Sequence, residues 1–229
     1  MVNGLELFQI PIGRAAVDFV VTGMGQGNAR KVSEIAMSAP YTFCVAAGFA
    51  GALKANLKIG DILVVREVQE LGKSKILECS RDLFMAARED PAMEAKTLLT
   101  VDRVITTALE KQQLSSFGDA VDMESFATLS VAEEKKLPAV AIRVISDRFD
   151  QDMPQDLDMT VDERGQVKIG GVVKHLARHP FQVPALLRLG RQSSTAAAAL
   201  AGFLEAFIKQ LSFRDHGWPA SELSEVRAS

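Results

Sequence analysis

The segment from Ala120 to Asp147 limits the fold more than any other part of the chain. Periodicity and turn signals predict that Ala120–Asp122 ends a strand, Met123–Lys136 forms a helix and Pro138–Ser146 forms a second strand. Such a unit belongs in an α/β domain. It also sets carboxylates at strand ends: Asp122 and Glu124 after the first strand, Asp147 after the second. Strand ends are where open α/β sheets bind ligands. A carboxyl group in a half-apolar cleft can take a raised pKa and act as a general acid.

The rest of the chain fits the same class. Leu5–Ile10 and Val17–Val21 read as strands joined by a turn at Pro11-Ile12-Gly13. Gly25–Ser38 reads as a helix with Ala29, Val32, Ile35 and Ala36 on one face. Tyr41–Ala47 is a nearly continuous apolar run, as expected of a strand covered on both faces. Asp61–Gln69 and Ser74–Cys79 read as strands, with an antiparallel pairing expected, and Lys96–Val101 as a short strand. Thr106–Leu114 reads as a helix. The expectation is a single α/β domain with a mixed central β-sheet flanked by helices.

Composition narrows the function. The chain has 229 residues, enough for one domain with a sizeable core. A net charge of −3 and an aromatic content of 6% argue against a nucleic-acid partner. Cys44 and Cys79 show no metal-binding spacing, and Cys44 reads as a core residue. His175 and His179 lie one helical turn apart without the glutamate of a zinc-protease pattern. No metal is therefore expected. The opening residues lack the pattern of a signal peptide, and no apolar run is long enough to span a bilayer. A cytoplasmic protein is the default expectation. Gly23-Met24-Gly25-Gln26-Gly27 invites a dinucleotide reading, but its third glycine comes one position early for that fingerprint.

From Gln166 to Leu204 there is no acidic residue. Lys168, Lys174, Arg178, Arg188 and Arg191 alternate there with Val172, Leu176, Phe181 and Leu186. Pro180 and Pro184 are expected to divide the segment into a short helix and a longer one ending near Leu211. This gives a core over 1–165, a helical segment over 166–211 packing on it, and a flexible tail over 212–229. The basic, apolar segment also suits peripheral contact with an anionic membrane surface, although packing against the sheet with solvated bases is the favoured reading of any single residue.

Four stretches together carry a family resemblance. Thr22-Gly23-Met24-Gly25 resembles a glycine turn, and Ala47-Gly48-Phe49-Ala50-Gly51-Ala52-Leu53 running into Leu57–Val65 resembles a central glycine motif and its following strand. Val121-Asp122-Met123-Glu124 and Arg143-Val144-Ile145-Ser146-Asp147 resemble a Met-Glu pair and a later Ser-Asp pair. In this order they are similar to the purine nucleoside phosphorylase and nucleosidase superfamily, over roughly Thr22 to Asp150. Gly170–Val173, His179–Leu189 and the Ser146–Asp150 loop with Met153-Pro154 resemble its hopanoid-associated phosphorylase subgroup, the adenosylhopane nucleosidases.

The resemblance implies roles. Asp147 would protonate the purine at N7, and Ser146 would hold Asp147. Glu124 would accept hydrogen bonds from ribose hydroxyls as positive charge develops on the sugar. Met24 and Met123 would pack on the sugar, and Val104 and Val121 would sandwich the base. Gly48, Phe49, Asp122 and Arg143 would complete the substrate site, with Arg143 equally readable as the partner of a carboxylate. No cofactor is implied; phosphate is the co-substrate if the reaction is phosphorolysis. The partner is a small purine nucleoside, and a homo-oligomer is expected.

Two departures leave the nucleophile open. Family members open with a strand and loop ahead of the segment matching Leu5–Val21, and no residue before Leu5 supplies their water-activating glutamate or phosphate-binding arginine. Phe49 stands where many phosphorylases carry a phosphate-binding serine. The expected function is therefore cleavage of an adenosyl nucleoside to release adenine, by phosphorolysis or hydrolysis, with adenosylhopane as one substrate. The alternatives are a methylthioadenosine/S-adenosylhomocysteine-type nucleosidase and a non-catalytic nucleoside- or lipid-binding homologue. A Rossmann-type oxidoreductase is a distant third.

Overall fold

The computed structural model describes residues 7–12, 15–89, 91–153 and 183–213. The histidines, the basic stretch 166–182 and the tail beyond 213 lie outside the described residues.

An antiparallel hairpin opens the fold, with β1 (Leu7–Ile12) paired to β2 (Ala15–Val20). Pro11 and Ile12, expected in the turn, continue β1 and face Ala16 and Ala15. A proline is tolerated there because β1 pairs on one edge only. Next come α1 (Gln26–Ala36), β3 (Cys44–Ala52), β4 (Ile62–Glu70), β5 (Ile76–Glu78), α2 (Arg81–Ala87) and β6 (Met93–Thr100). The chain continues through α3 (Ala108–Leu114), β7 (Ala120–Asp122), α4 (Ser125–Glu134), β8 (Ala139–Asp147) and α5 (Val183–Phe213).

The main sheet runs β5-β4-β6-β7-β3-β8 and is mixed, as expected. It also closes. β4 pairs with β6 along one edge, and with both β8 (through Ile62–Val64) and β5 (through Glu67–Gln69) along the other. The ring β4–β6–β7–β3–β8 leaves few unpaired edges. β5 lies antiparallel to β4, as the sequence suggests.

Alternation along the strands divides the core. On β8, Val140, Ile142 and Val144 pack with α2 and α5, whereas Ala139, Ala141 and Ile145 pack with α4. On β4, Ile62 and Val64 join the first group, and Leu63 and Val65 the second. Both faces are covered there, so Ile62–Val65 and Ala139–Ile142 read as continuous apolar runs. α4 is buried on all sides from Ser125 to Ala132, so that stretch lacks an amphipathic stripe. It ends two residues earlier than expected. Lys136 turns into the left-handed region and Leu137 N–H returns to the Ala132 carbonyl, a helix-ending geometry followed by Pro138.

α2 is an element that periodicity did not reveal. Its seven residues are too few for a helical pattern to declare itself. β3 runs through the glycine motif to Ala52, well past the expected end at Ala47. α5 begins at Val183, so Pro184 falls in the first turn, where a missing N–H costs nothing.

The α5 face bearing Ala196, Phe207 and Ile208 packs on α2 and β8. Phe207 is 2% exposed. Phe207→Ala is expected to lower unfolding free energy by about 3–5 kcal/mol in urea melts. A change below about 1 kcal/mol would show that α5 is not part of the cooperative core.

Candidate active site

β3 is the spine of the site, because it lies between β7 and β8. Gly51 faces Val121 on β7 and Asp147 on β8. Three residues earlier, Gly48 faces Arg143. β8 runs parallel to β3 and β7 antiparallel to it. The Glu124 and Asp147 carboxylates therefore do not share one strand-end edge, as a simple parallel sheet would arrange them. They are assembled across β3.

Both glycines are steric requirements. A Cβ on Gly51 would stand 2.9 Å from Asp147 Oδ2 and 3.2 Å from Val121 Cγ1. A Cβ on Gly48 would stand 2.0 Å from Arg143 Nη1, inside van der Waals contact. The glycine motif is thus the groove in β3 that admits these two side chains.

Asp147 is 4% exposed. Its Oδ1 accepts from the Ser146 hydroxyl at 2.8 Å, placing the Ser-Asp pair in direct contact. Its Oδ2 accepts from Lys111 Nζ at 2.5 Å. Lys111 comes from α3 and is wholly buried, which the sequence reading missed. One signal was available. Ala108, Lys111 and Leu114 share a helix face, so a lysine occupies the position where an apolar residue belongs.

Glu124 occupies the position just before α4 and is half-buried. Its Oε1 accepts from the Gly25 N–H at 2.7 Å, joining the early glycine turn to the Met-Glu pair across 99 residues. Burial raises the Glu124 pKa above the ordinary glutamate value, and the Asp122 charge adds to that rise. The Gly25 N–H and Arg143 oppose it.

Asp122 and Arg143 are buried and paired with each other, 2.7 Å between Nη2 and Oδ2. The pair belongs to a closed network. Thr100 Oγ1 donates to Asp122 Oδ1 at 2.6 Å and accepts from Phe126 N–H. Ser125 N–H donates to Asp122 Oδ2, and Arg143 donates to Ser125 Oγ through Nε and Nη2. These bonds fix the start of α4 and hence Glu124. The sequence expectation set Asp122 at the substrate and read Arg143 either there or as the partner of a carboxylate; the structure engages both side chains in this internal network.

The remaining expected residues lie on the same elements or next to them in the chain. Val121 and Met123 pack with Leu53, Leu99, Val101, Ile105 and Leu114 in a small apolar cluster. Val104 is half-buried beside Ile105. Met24, 37% exposed, precedes Gly25, and Phe49, 45% exposed, pairs with Val144. Chemically, the site offers one carboxyl held by a hydroxyl, a second facing the glycine turn, and an apolar floor. Neither cysteine competes for that chemistry, because burial pushes Cys44 up to about 12 and Cys79 up to about 11. An apolar groove of about 490 Å³ between α2 and α5 is lined by none of the site residues.

Residues 4–178 match the model of the phosphorylase superfamily. The chain is 26% identical over 192 residues to the 5′-methylthioadenosine/S-adenosylhomocysteine nucleosidase of Shewanella denitrificans, covering 72% of this chain and 83% of that protein. The fold is similar to that of the corresponding nucleosidase from Neisseria meningitidis in complex with methylthio-immucillin-A (TM-score 0.67, 17% identity, 91% of each chain). It is likewise similar to futalosine hydrolase of Helicobacter pylori (TM-score 0.64, 17% identity, 90% of this chain and 89% of that one). The family match spans most of the chain, including every residue of the β3-centred site, and the chain belongs to the phosphorylase superfamily.

Proposed function

We propose that this protein cleaves the N-glycosidic bond of an adenine nucleoside and releases adenine by hydrolysis. The observation that carries the reading is the register across β3, which puts Gly51 between Val121 and Asp147. A purine lying on the apolar floor would reach the Asp147 carboxyl there. The proton passes from that carboxyl to N7, the C1′–N9 bond breaks, and its electron pair goes to the leaving base. Water then captures the ribosyl cation and releases a proton to solvent. Glu124 accepts hydrogen bonds from the ribose hydroxyls, which strengthen as the sugar becomes cationic.

Hydrolysis is favoured over phosphorolysis by Phe49, an apolar side chain where phosphorylases place a phosphate-binding serine, and by the relatives, which are nucleosidases and a hydrolase. Phosphate remains the co-substrate of the rival reading. For the 5′ substituent, the Shewanella relative favours a methylthio or homocysteinyl group. The acid-free stretch from Gln166 favours adenosylhopane, whose apolar tail needs a basic, greasy surface.

The test is incubation with methylthioadenosine, S-adenosylhomocysteine and adenosylhopane, with and without phosphate, followed by quantitation of free adenine. Adenine release independent of phosphate is expected. Strict dependence on phosphate would establish phosphorolysis instead. Nucleoside binding without adenine release would identify a non-catalytic homologue. With the preferred substrate, Asp147→Asn should lower kcat by roughly 10²-fold or more, the scale of lost general acid catalysis, while binding changes little.

Glu124 supplies a pH signature. It must be ionised to accept the ribose hydrogen bonds, and burial raises its pKa. The acid limb of kcat/KM therefore lies above the ordinary glutamate value of about 4.3. Activity falls as pH drops through that limb, and Glu124→Gln removes it. Full wild-type activity persisting down to pH about 4.3 would contradict the assignment.

A further inference from the structure

Among the described residues, Lys111 is the one buried ion-pair partner near the site that neither the glycine motif nor the Met-Glu and Ser-Asp pairs account for. A wholly buried lysine is rare unless its charge and donors are matched. Here all of its donors are used. Nζ donates to Asp147 Oδ2 at 2.5 Å, to the Arg148 carbonyl at 2.7 Å and to the Gln151 carbonyl at 3.2 Å. An ammonium has three N–H groups, so none is left over.

The same helix clips the chain that follows Asp147. Ala108 N–H, in the first turn of α3, donates to Asp152 Oδ1 at 2.8 Å. Met153 N–H donates to the Thr106 carbonyl at 2.8 Å. Thr107 caps α3 by accepting from Glu110 N–H. Two α3-side backbone anchors and three Lys111 bonds thus tie residues 147–153 to one rigid turn. The carboxylate plane of Asp147 is held from both ends: Lys111 and the space of Gly51 at Oδ2, Ser146 at Oδ1.

We propose that Lys111 is a positioning residue for the reaction. It occupies Asp147 Oδ2 as a donor, so the proton that the paired carboxylate must first take up from solvent, and then passes to the purine, is confined to Oδ1, beside Ser146. A carboxyl free to rotate would offer that proton from either oxygen and in several directions. With Oδ2 fixed, the acid presents a single edge to the base, and near-attack geometry for the proton is built in before substrate arrives. Lys111 touches neither the base nor the sugar in this arrangement; it acts through Asp147. The inference rests on the reading of Asp147 as the purine acid.

A double-mutant cycle on kcat tests it, using Asp147→Asn, Lys111→Met and the double variant with the substrate that releases adenine. Thermal melts of all four proteins accompany the kinetics. Lys111→Met is expected to lower kcat at least about tenfold with KM changed less than about threefold, because the lost interaction serves the transition state. In the Asp147→Asn background the same substitution should have an effect below about twofold, because residues acting as a unit are not additive. A lysine that merely stabilised the fold would reduce activity by the same factor in both backgrounds, and that result overturns the proposal. So does a Lys111→Met protein with wild-type kcat. If Lys111→Met alone does not fold, Lys111→Arg keeps the charge and moves it, and the same comparison is read with that variant. A wild-type rate in Asp147→Asn would remove the acid reading itself. A large Asp147→Asn loss beside an inert Lys111→Met would remove only the role of Lys111.

Discussion

The buried pair of Asp122 and Arg143 is the interaction on which the site depends. It joins the end of β7 to the middle of β8 across β3, and it requires Gly48 to have no side chain. Through Ser125 and Thr100 it fixes the first turn of α4, and so the direction in which Glu124 leaves the backbone. Two charges this deep cost several kcal/mol each to desolvate, a penalty met only by close pairing and full hydrogen bonding. Both conditions hold: no buried side-chain nitrogen or oxygen among the described residues lacks a partner. The network is therefore a strong determinant of where the strands and the helix meet.

That rigidity explains how residues far apart in sequence form one site. Gly25 and Glu124 are 99 residues apart yet share a 2.7 Å hydrogen bond. Lys111 and Asp147 are 36 apart and share one of 2.5 Å. Each contact is a side chain from a helix or its first boundary residue reaching a strand end or turn. The sheet, closed into a ring, supplies a frame in which such contacts are reproducible. In the reaction proposed above, this frame would divide function between an acid at Asp147 and a sugar-facing carboxylate at Glu124, whose pKa burial raises.

Much of this was legible in the sequence. The strand–helix–strand unit around Met123 and the α/β class follow from periodicity, and the antiparallel pairing of β4 and β5 fits the short connection between them. Ring closure was not legible. Nothing in Ile62–Val64 marks it as pairing with β8 instead of ending a sheet edge. The internal use of Asp122 and Arg143 was only half visible, since a charged residue in an apolar strand fits a ligand contact and a buried ion pair equally well. Lys111 left only a faint signal, its place on the α3 face shared by Ala108 and Leu114. A lysine on a seven-residue helix reads as solvated unless the acid it meets is already known.

The central claim is that Asp122 and Arg143 act as one structural unit, and urea unfolding of Arg143→Met, Asp122→Asn and the double variant tests it directly. Each single substitution leaves one buried charge or its polar shell unmatched and is expected to cost about 3–5 kcal/mol, whereas the double variant should cost clearly less than the sum of the singles. Additive losses, or a single variant as stable as the wild type, would contradict the account.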